Sequence, residues 1–417
     1  MLITSMLRVV LTRSLKPFVF TGRNENKLKF DSLEDLGLYV HIPFCRSICR
    51  FCPYFKEVYD KHKAESYKKA LLKEIDIVCR NLKEKKNAAS LYFGGGTPAL
   101  MIDDMKEIID KLKNYFIIEG GIGVELHPED IKESTLDKLK NIGINMVSIG
   151  IQSFDEKCLQ RLGRKNDLFE EKLNLVKSYE FDVVDVDLIF AIPGQTDKIL
   201  LKDITAAFDN GATQVSTYPF IDFTFADNDY KAMPEKTKKR MLKKLTEFCS
   251  NINIERTSVW TFAKKGTKRY SSVTRDNFLG FGVSAATLLK NTFKINTFSI
   301  SEYIKRINNS ILPSSLTLYF TKRQRAVYYL FWSAYSLKID IQKFEKIIGE
   351  SIDKMFGFEL LLAEKLNLLV KNKDFYELTP KSSYWYHIIE QSYTRKYIDK
   401  VWNVSRKEAF PGKIVLR

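Results

Sequence analysis

Three cysteines in one short segment constrain this chain more than any other feature. Cys45, Cys49 and Cys52 have the spacing Cys-x3-Cys-x2-Cys, inside the run LYVHIPFCRSICRFCPYFK at 38–56. Each thiolate can ligate one iron, so such a loop holds three corners of a four-iron cluster and leaves the fourth iron open to a ligand that is not protein. The spacing therefore predicts an iron–sulfur loop with one reactive iron.

Two other uses of cysteine fit the sequence less well. Structural zinc needs four protein ligands, usually in pairs, whereas Cys79, Cys158 and Cys249 are isolated along the chain. A disulfide framework is typical of small secreted domains, not of a chain of 417 residues with six cysteines. The iron–sulfur interpretation is favoured over both.

From residue 38 onward, short β-rich runs alternate with longer helical patterns, which is typical of βα units around a parallel sheet. The predicted strands are 38–42, 90–93, 122–126, 145–151, 183–190 and 214–220. The predicted helices are 64–82, 103–116, 131–141, 168–179 and 197–209. Six units make a partial (βα)6 barrel, an α/β fold. Ligands of such sheets bind beyond the carboxyl ends of the strands, where the cysteine loop and a glycine loop at 94–96 both fall.

After the last of these strands the pattern changes, and from Ser301 onward it is mainly helical. The expected elements are a basic helix at about 235–250, a strand at 257–262, close backbone packing at 280–289, helices at 322–336, 341–349 and 351–367, and a small β-wing at 375–379. We predict three parts: an N-terminal basic extension at 1–37, a core domain with an extension at 38–295, and a smaller, mostly helical C-terminal domain at 315–417.

Charge and hydropathy limit the partners and the compartment. The formal net charge of +16 favours anionic partners, but none of the usual nucleic-acid motifs occurs, so we expect an acidic small molecule and no nucleic acid. No run of 18 apolar residues is present, so no transmembrane segment is expected. The basic extension lies either on an anionic membrane surface or over the core, and the second is commoner. Reduced cysteines and an exposed cluster favour the cytoplasm.

Seven sequence segments in a fixed order carry a family resemblance. They are YVHIPFC (39–45), FGGGTP (93–98), VELHPED (124–130), SIGIQSF (148–154), DVDLIFAIPGQT (185–196), STYPF (216–220) and FLGFGVSAATLL (278–289). They resemble the radical S-adenosylmethionine (SAM) superfamily and, within it, the family of oxygen-independent coproporphyrinogen III oxidases and haem chaperones. The resemblance is strong over about 38–290 and weak over the last hundred residues.

The resemblance implies two cofactors: a 4Fe-4S cluster on Cys45, Cys49 and Cys52, and one SAM molecule, with a second left open. One electron through the cluster would break a carbon–sulfur bond of SAM and give a 5′-deoxyadenosyl radical. The positions that match SAM-binding positions of the family are Tyr39, Phe51, Gly95, Gly96, Thr97, Glu125, Gln152, Arg164 and Asp187. No residue is assigned as catalytic, because the cofactors would supply the reactivity and the protein the positioning.

Several of these residues have other interpretations. Tyr39 and Phe51 suit an aromatic core, and Glu125 with Arg164 suits an internal salt bridge. Asp187, within an apolar strand, requires either a cation or a ligand's hydroxyl or amine groups. Outside the nine, His127 receives no role and His41 is expected to orient the cysteine loop. The glycine loop is expected to offer its NH and CO groups, with the Thr97 hydroxyl, to the amino-acid end of SAM.

The sequence departs from the family at one informative position. The best-studied oxidases have a further cysteine two residues after the last cluster cysteine, where this chain has Tyr54, and the chaperones' usual Cys-Asp-Phe is absent too. The most economical function is still oxidative decarboxylation of coproporphyrinogen III to protoporphyrinogen IX, served by an electron donor such as a flavodoxin or ferredoxin. The alternatives are a radical SAM methyltransferase, a haem-ring-opening enzyme, or a non-enzymatic haem chaperone.

Two further residue sets follow from these alternatives. A haem carrier needs an axial ligand such as histidine, and the chain has four: His41, His62, His127 and His387. The substrate's propionates would suit the basic residues of the segment 257–278, unless that segment is an ordinary surface loop. These basic residues are Lys264, Lys265, Lys268, Arg269 and Arg275.

Overall fold

The computed structural model describes residues 2–22, 27–226, 228–268 and 276–417. Up to the last parallel strand the elements are α1 (Leu2–Thr12), β1 (Phe18–Thr21), β2 (Leu36–Ile42), β3 (Phe44–Cys45), β4 (Glu57–Val58), α2 (Lys61–Cys79), β5 (Lys86–Gly95), α3 (Ile102–Lys113), β6 (Phe116–Ile118), β7 (Ile122–Leu126), α4 (Glu133–Asn141), β8 (Met146–Gln152), α5 (Glu156–Arg161), α6 (Phe169–Ser178), β9 (Val183–Phe190), α7 (Asp197–Asp209) and β10 (Gln214–Pro219).

The second half is richer in short strands than the sequence pattern indicated. Its elements are α8 (Glu235–Asn251), β11 (Ile254–Arg256), β12 (Thr261–Lys264), β13 (Asn277–Phe281), β14 (Ala286–Leu289), β15 (Thr292–Asn296), α9 (Ile300–Asn308), β16 (Ser314–Tyr319), α10 (Lys322–Tyr335), β17 (Lys338–Asp340), α11 (Ile341–Ile348), α12 (Ile352–Lys365), β18 (Leu369–Lys371), β19 (Phe375–Leu378), α13 (Pro380–Tyr393), α14 (Asp399–Lys407) and β20 (Lys413–Leu416).

Six parallel strands form the centre of the fold, in the order β2, β5, β7, β8, β9, β10. These are the six strands that the sequence predicts. β2 and β9 are buried along almost their whole length, because helices cover the sheet and an apolar strand is stable only when both its faces are buried. The helices are amphipathic: α3 buries Met105, Ile108, Ile109 and Leu112, which share one helical face. The partial α/β barrel is confirmed.

The sheet continues beyond both edges of the parallel core. Antiparallel β12 and β11 extend it past β10, while β13 pairs with β2 and leads into an antiparallel run β14, β15, β16, β1, β20. The sequence predicted close packing in this region, and Gly280 shows it, since a Cβ there would lie 2.1 Å from Ala286 O. It did not predict strands, because each is only four to six residues long. The strand expected at 257–262 begins only at Thr261.

The C-terminal portion is helical, as predicted, and carries a three-stranded sheet of β17, β19 and β18 at the place of the expected wing. The division into domains stays a prediction. In the structure, the stretch 295–315 holds α9 between the paired strands β15 and β16. Helix α1 lies against the C-terminal helices, where Thr4 Oγ1 and Ser392 Oγ share a hydrogen bond of 2.6 Å.

Candidate active site at the barrel mouth

The cysteine loop follows β2 and is closed at its base. β3 and β4 pair in parallel on either side of it, and Tyr59 N donates to Cys45 O at 2.9 Å. All three thiols are free: Cys45 is buried, and Cys49 and Cys52 are half-buried. Burial raises the pKa of the Cys45 thiol to about 11, against a smaller lowering by the Thr97 hydroxyl. The loop thus presents three unpaired sulfurs from one short, closed segment.

The glycine loop packs directly against this segment. Gly96 N donates to Ile42 O and Thr97 N to Phe44 O, both at 2.7 Å, and Thr97 Oγ1 donates to Cys45 Sγ at 3.6 Å. The expectation that the NH groups of residues 94–96 are open to a ligand is therefore not met at Gly96, because its NH already has a protein acceptor, as does the NH of Thr97. The loop's first task is to hold the cysteine loop.

Glu125 completes the support of the glycine loop from the next strand. Its carboxylate accepts Gly95 N at 2.9 Å and Tyr92 OH at 3.0 Å, so the NH of Gly95 is also occupied. Burial raises the pKa of Glu125 to about 7, and the bond from Gly95 opposes that rise. Arg164 donates to Gly150 O at 2.8 Å instead. The two side chains thus have separate partners, and the direct salt bridge between Glu125 and Arg164 is not formed.

His41 links β2 to the far side of the cysteine loop. Burial lowers the pKa of its ring to about 4, so the ring is neutral. Nε2 lies 3.0 Å from Phe55 O, which can only accept, so the proton is on Nε2 and Nδ1 accepts from Tyr39 OH at 2.9 Å. A Cβ on Gly95, whose φ is +111°, would lie 2.4 Å from His41 Cε1. The ring is fixed on all sides, which agrees with the orienting role expected of it.

Arg164 and Gln152 lie on the other side of the cysteines. Burial raises the pKa of Cys49, and the nearby positive charge of Arg164 opposes the rise. Gln152 ends β8 with a φ of +76°, next to an irregularity in the pairing with β9. This strained backbone turns Gln152 Nε2 back toward Gly150. His127, which received no role, accepts from Glu129 N at 3.3 Å and so shapes the turn after β7.

Asp187 has no cation among its hydrogen-bond partners. Ser148 Oγ donates to its Oδ2 at 2.7 Å, and burial together with the charge of Asp185 raises its pKa well above the usual range. Asp185 is itself saturated on one oxygen by Gln214 and Ser216, both at 2.8 Å. Of the two interpretations given to Asp187, the internal ion pair is not formed, and the ligand-binding one stays a prediction.

Seven of the nine predicted SAM positions lie in strands or directly after them: Tyr39 and Asp187 within β2 and β9, Glu125 next to the end of β7, Gly95 and Gln152 at the ends of β5 and β8, and Gly96 and Thr97 just after β5. Arg164 follows α5 and lies beside Cys49. The ninth, Phe51, packs instead with an apolar cluster that includes Ile192 and Phe220. Sequence reasoning missed Tyr92, which stacks on Tyr39 with ring centroids 6.2 Å apart. Tyr92 falls within the strand predicted at 90–93, and it lies opposite Tyr39 in the register of β2 and β5.

An aromatic cover from distant parts of the chain packs against the end of the cysteine loop, and sequence reasoning missed it. Trp402 of α14 contacts Tyr54, Phe298 and Phe225, with ring centroids 6.0 to 6.4 Å apart. Arg406, one turn further along α14, donates to Pro53 O at 2.7 Å. The C-terminal helix therefore holds the cysteine loop from outside. Tyr54, the residue that departs from the family pattern, is part of this cover.

Two adjoining cavities lie behind the cover. The first, which we call the barrel cavity, has a volume of about 230 Å³ and is lined by Tyr39, His41, Tyr92 and Glu125 among others. The second, the aromatic cavity, has a volume of about 500 Å³ and lies between α1, the strands β1, β15 and β16, and the helices α10, α13 and α14. Both cavities are lined by Ser284, Ala286, Phe293, Tyr328, Trp332 and Trp402.

Of the described basic residues of the segment 257–278, Lys264, Lys265 and Lys268, none lines either cavity. Lys264 Nζ donates to Phe208 O at 3.2 Å, and Lys268 forms an ion pair with Asp182 at 2.6 Å. Their protein partners favour the interpretation as surface residues, and the propionate contacts stay a prediction. Arg269 and Arg275 lie outside the described residues.

Within the described ranges, no group of three His, Cys, Asp or Glu side chains is arranged to hold a metal ion. No helix in that same part of the chain is long and apolar enough to cross a membrane.

Comparison with known proteins identifies the class. Residues 39–206 match the model of the Radical SAM superfamily, so this chain carries a radical SAM domain, a class that uses a 4Fe-4S cluster and SAM. The match begins at Tyr39 and contains the cysteine loop, the glycine loop and Glu125.

The similar proteins include haem chaperones and coproporphyrinogen III oxidases. The chain is 26% identical over 347 residues to the haem chaperone HemW of Bacillus subtilis, spanning 78% of this chain and 91% of that one. It is 25% identical over 311 residues to the oxygen-independent coproporphyrinogen III oxidase of Pseudomonas aeruginosa, spanning 66% of each. The crystal structure of coproporphyrinogen III oxidase from Escherichia coli superposes with a TM-score of 0.74 at 20% identity, over 92% of this chain and 98% of that one. The radical SAM fold is therefore shared.

Proposed function

We propose that this protein is a radical SAM enzyme of tetrapyrrole metabolism, and that its reaction is the oxidative decarboxylation of coproporphyrinogen III to protoporphyrinogen IX. One observation carries the proposal: Tyr54 and Phe55, which follow the last cluster cysteine, line the barrel cavity, and that cavity adjoins a larger aromatic one. The first carries a few polar groups, among them His41 and Glu125, that suit a cofactor, and the second suits a large, mainly apolar substrate.

The residues present fit the cluster. Cys45, Cys49 and Cys52 are free thiols on one closed loop, a donor set that gives one thiolate to each of three irons. The protein lowers the cost of their ionisation through Arg164 beside Cys49 and the Thr97 hydroxyl on Cys45. When bound, the cluster and SAM supply a 5′-deoxyadenosyl radical that removes a hydrogen atom from the substrate.

The SAM site is proposed around the supports of the cysteine loop. The amino group of SAM needs acceptors, and the glycine loop, whose NH groups are used internally, has carbonyl oxygens to offer. Asp187, whose partner is a hydroxyl, would accept from further SAM hydroxyls or its amine. The same site includes Tyr39, Glu125, Gln152 and Arg164. Phe51 contributes through packing under the loop.

The aromatic cavity is proposed to receive the tetrapyrrole. Its described lining is dominated by aromatic rings, including Phe18, Phe20, Phe331, Trp385 and Tyr393. Flat rings stack on such side chains and bury much of their surface. Trp402, in contact with Tyr54 beside the cysteine loop, would shield a radical in the cavities from competing hydrogen donors. Electrons would come from a flavodoxin or ferredoxin.

The test is an anaerobic incubation of the cluster-reconstituted protein with SAM, a reductant and coproporphyrinogen III, followed by mass analysis. We expect 5′-deoxyadenosine together with porphyrin that has lost one or two carbon dioxide units. Deoxyadenosine with unchanged porphyrin would reject this substrate and turn the search to methyl transfer or haem-ring opening. A control with Cys45→Ala should yield neither product.

The second candidate is a haem chaperone, favoured by the relative in Bacillus subtilis, which is covered over 91% of its length. Such a carrier needs an axial ligand, and the histidines are poorly placed for it. His387 is fully buried and accepts from Trp260 Nε1 at 2.9 Å, while His62 is exposed on α2, away from both cavities. Haem that binds stoichiometrically without any deoxyadenosine formation would favour the carrier. Unchanged haem binding in His62→Ala and His387→Ala would then leave the tyrosines of the cavities as candidate axial ligands.

A further inference from the structure

Arg8 is a buried cation beside an apolar cavity. It lies on α1, its side chain is 8% exposed, and it is the one positively charged residue in the described lining of the aromatic cavity. Arginine stays protonated at every physiological pH, so its charge is permanent. A buried charge is costly unless an opposite charge compensates it.

The described structure gives Arg8 no such compensation. Its Nη1 donates to Lys16 O at 2.6 Å and to Ser14 O at 3.4 Å, which are neutral carbonyl groups, and its Nε has no acceptor. None of the ion pairs among the described residues includes Arg8. Glu359, the acid that lines the same cavity, is instead bound by Arg13 and Arg323 at 3.1 and 2.9 Å.

The neighbours of Arg8 add to its preference for an anion. The hydroxyl of Tyr397 is buried and donates to no acceptor. Burial raises the pKa of Tyr397, while the charge of the adjacent Arg8 and a hydrogen-bonding contact from Arg8 to the hydroxyl lower it. Lys396, the residue before Tyr397, donates a hydrogen bond to Ser5 Oγ. Burial lowers the pKa of Lys396, and so does the charge of Arg8. Positive charge and a free hydroxyl donor thus meet at this end of the cavity.

We propose that Arg8 binds a carboxylate of the ligand in the aromatic cavity, with the Tyr397 hydroxyl as a second donor. The inference rests on the proposed function, and it assigns the N-terminal helix to substrate recognition. The rings of the tetrapyrrole would lie among the aromatic side chains, and one propionate would reach Arg8. A guanidinium suits this task because its planar donors match the two oxygens of a carboxylate.

The experiment compares a tetra-acid with a neutral analogue of the same shape. Coproporphyrin III and its tetra-amide are titrated into the full-length, cluster-reconstituted protein, and binding is followed by porphyrin fluorescence. Loss of a charge-assisted hydrogen bond costs about 1.5–3 kcal/mol, so Arg8→Gln should weaken binding of the tetra-acid about 10- to 100-fold. Binding of the tetra-amide should not change. Arg8→Lys should recover part of the affinity.

Arg13→Gln is the matched control, because Arg13 lies just after the same helix, is 58% exposed and already pairs with Glu359. It should bind both porphyrins as the wild type does. Equal losses for acid and amide in Arg8→Gln would show a structural role and overturn the proposal, as would no loss for either.

Failure of the proposed function gives a different result. If the wild-type protein binds neither porphyrin, then both the tetrapyrrole assignment and the role of Arg8 fail. If the wild type binds both equally and Arg8→Gln changes nothing, then the tetrapyrrole assignment survives and only the Arg8 proposal is lost.

Discussion

The barrel cavity and the aromatic cavity adjoin each other but are built in opposite ways. In the barrel cavity the polar side chains of Tyr39, His41 and Glu125 are all hydrogen-bonded to other parts of the protein. The aromatic cavity is largely apolar and leaves Arg8 and Tyr397 with unpartnered donors. The first is preorganised, with its geometry fixed before a ligand binds. The second achieves its selectivity through shape and a few unsatisfied groups.

The largest expected effect is that of replacing one of the three cysteines of the cysteine loop. Cys45→Ala should abolish deoxyadenosine formation and lower the iron and sulfide content of the reconstituted protein, because three thiolates are the minimum for the cluster. Cys249→Ala, a buried cysteine on α8 remote from the loop, is the control and should keep both. Full cluster content in Cys45→Ala would contradict the assignment.

The next effect tests whether the aromatic cover shields the cavities from hydrogen donors or only stabilises the fold. Trp402→Ala removes a ring that touches Tyr54, Phe298 and Phe225, and should cost about 2–4 kcal/mol in the free energy of unfolding. Because reductant and other hydrogen donors can then reach the radical, more deoxyadenosine should form per porphyrin product. Urea denaturation and product ratios measure the two effects. An unchanged ratio would show that the cover is only structural.

A smaller effect concerns the protonation of Glu125, which lines the barrel cavity. The pKa of Glu125 in the folded protein is about 7, above the ordinary 4.5, so the folded state binds this proton more tightly than the unfolded state. Stability must therefore fall as the pH rises from about 5 to about 8. Glu125→Gln should remove about 1–3 kcal/mol of that fall, as measured by urea denaturation at both pH values. Glu74 and Glu390, also raised to about 7, remain in both proteins, so the difference isolates Glu125.

The smallest effect lies at the rim of the aromatic cavity. Glu359→Gln breaks the ion pairs with Arg13 and Arg323, of which Arg13 is exposed, and should cost only about 1 kcal/mol in stability. Porphyrin binding should hardly change. If the loss of Glu359 tightens binding of the tetra-acid markedly, then Arg323 also binds a carboxylate of the ligand. The aromatic cavity would then use two arginines, not one.

The two cavities also differ in how far sequence could predict them. The mouth of the barrel follows from Cys45, Glu125 and Gln152, because each stands at or just after an apolar run whose period marks a parallel strand. The aromatic cavity could not be predicted, since Arg8, Phe293 and Trp402 come from three distant segments. Its strands are too short for a clear period, and its apolar residues look like any core. Even at the barrel mouth, the hydrogen-bond partners could not be predicted, because no sequence pattern shows that the NH groups of Gly95 and Gly96 already have protein acceptors.

The pairing of β1 with β20 has a consequence for the order of assembly on the ribosome. Phe18 pairs with Leu416, so β1 leaves the exit tunnel long before its partner is synthesised, while β16 also comes late. The parallel barrel can form in between, since its strands are consecutive and its contacts more local. The N-terminal helix and strand must therefore wait, exposed, until β20 has been synthesised. The contacts of Trp402 and Arg406 with the cysteine loop also form late, long after the loop itself has been made.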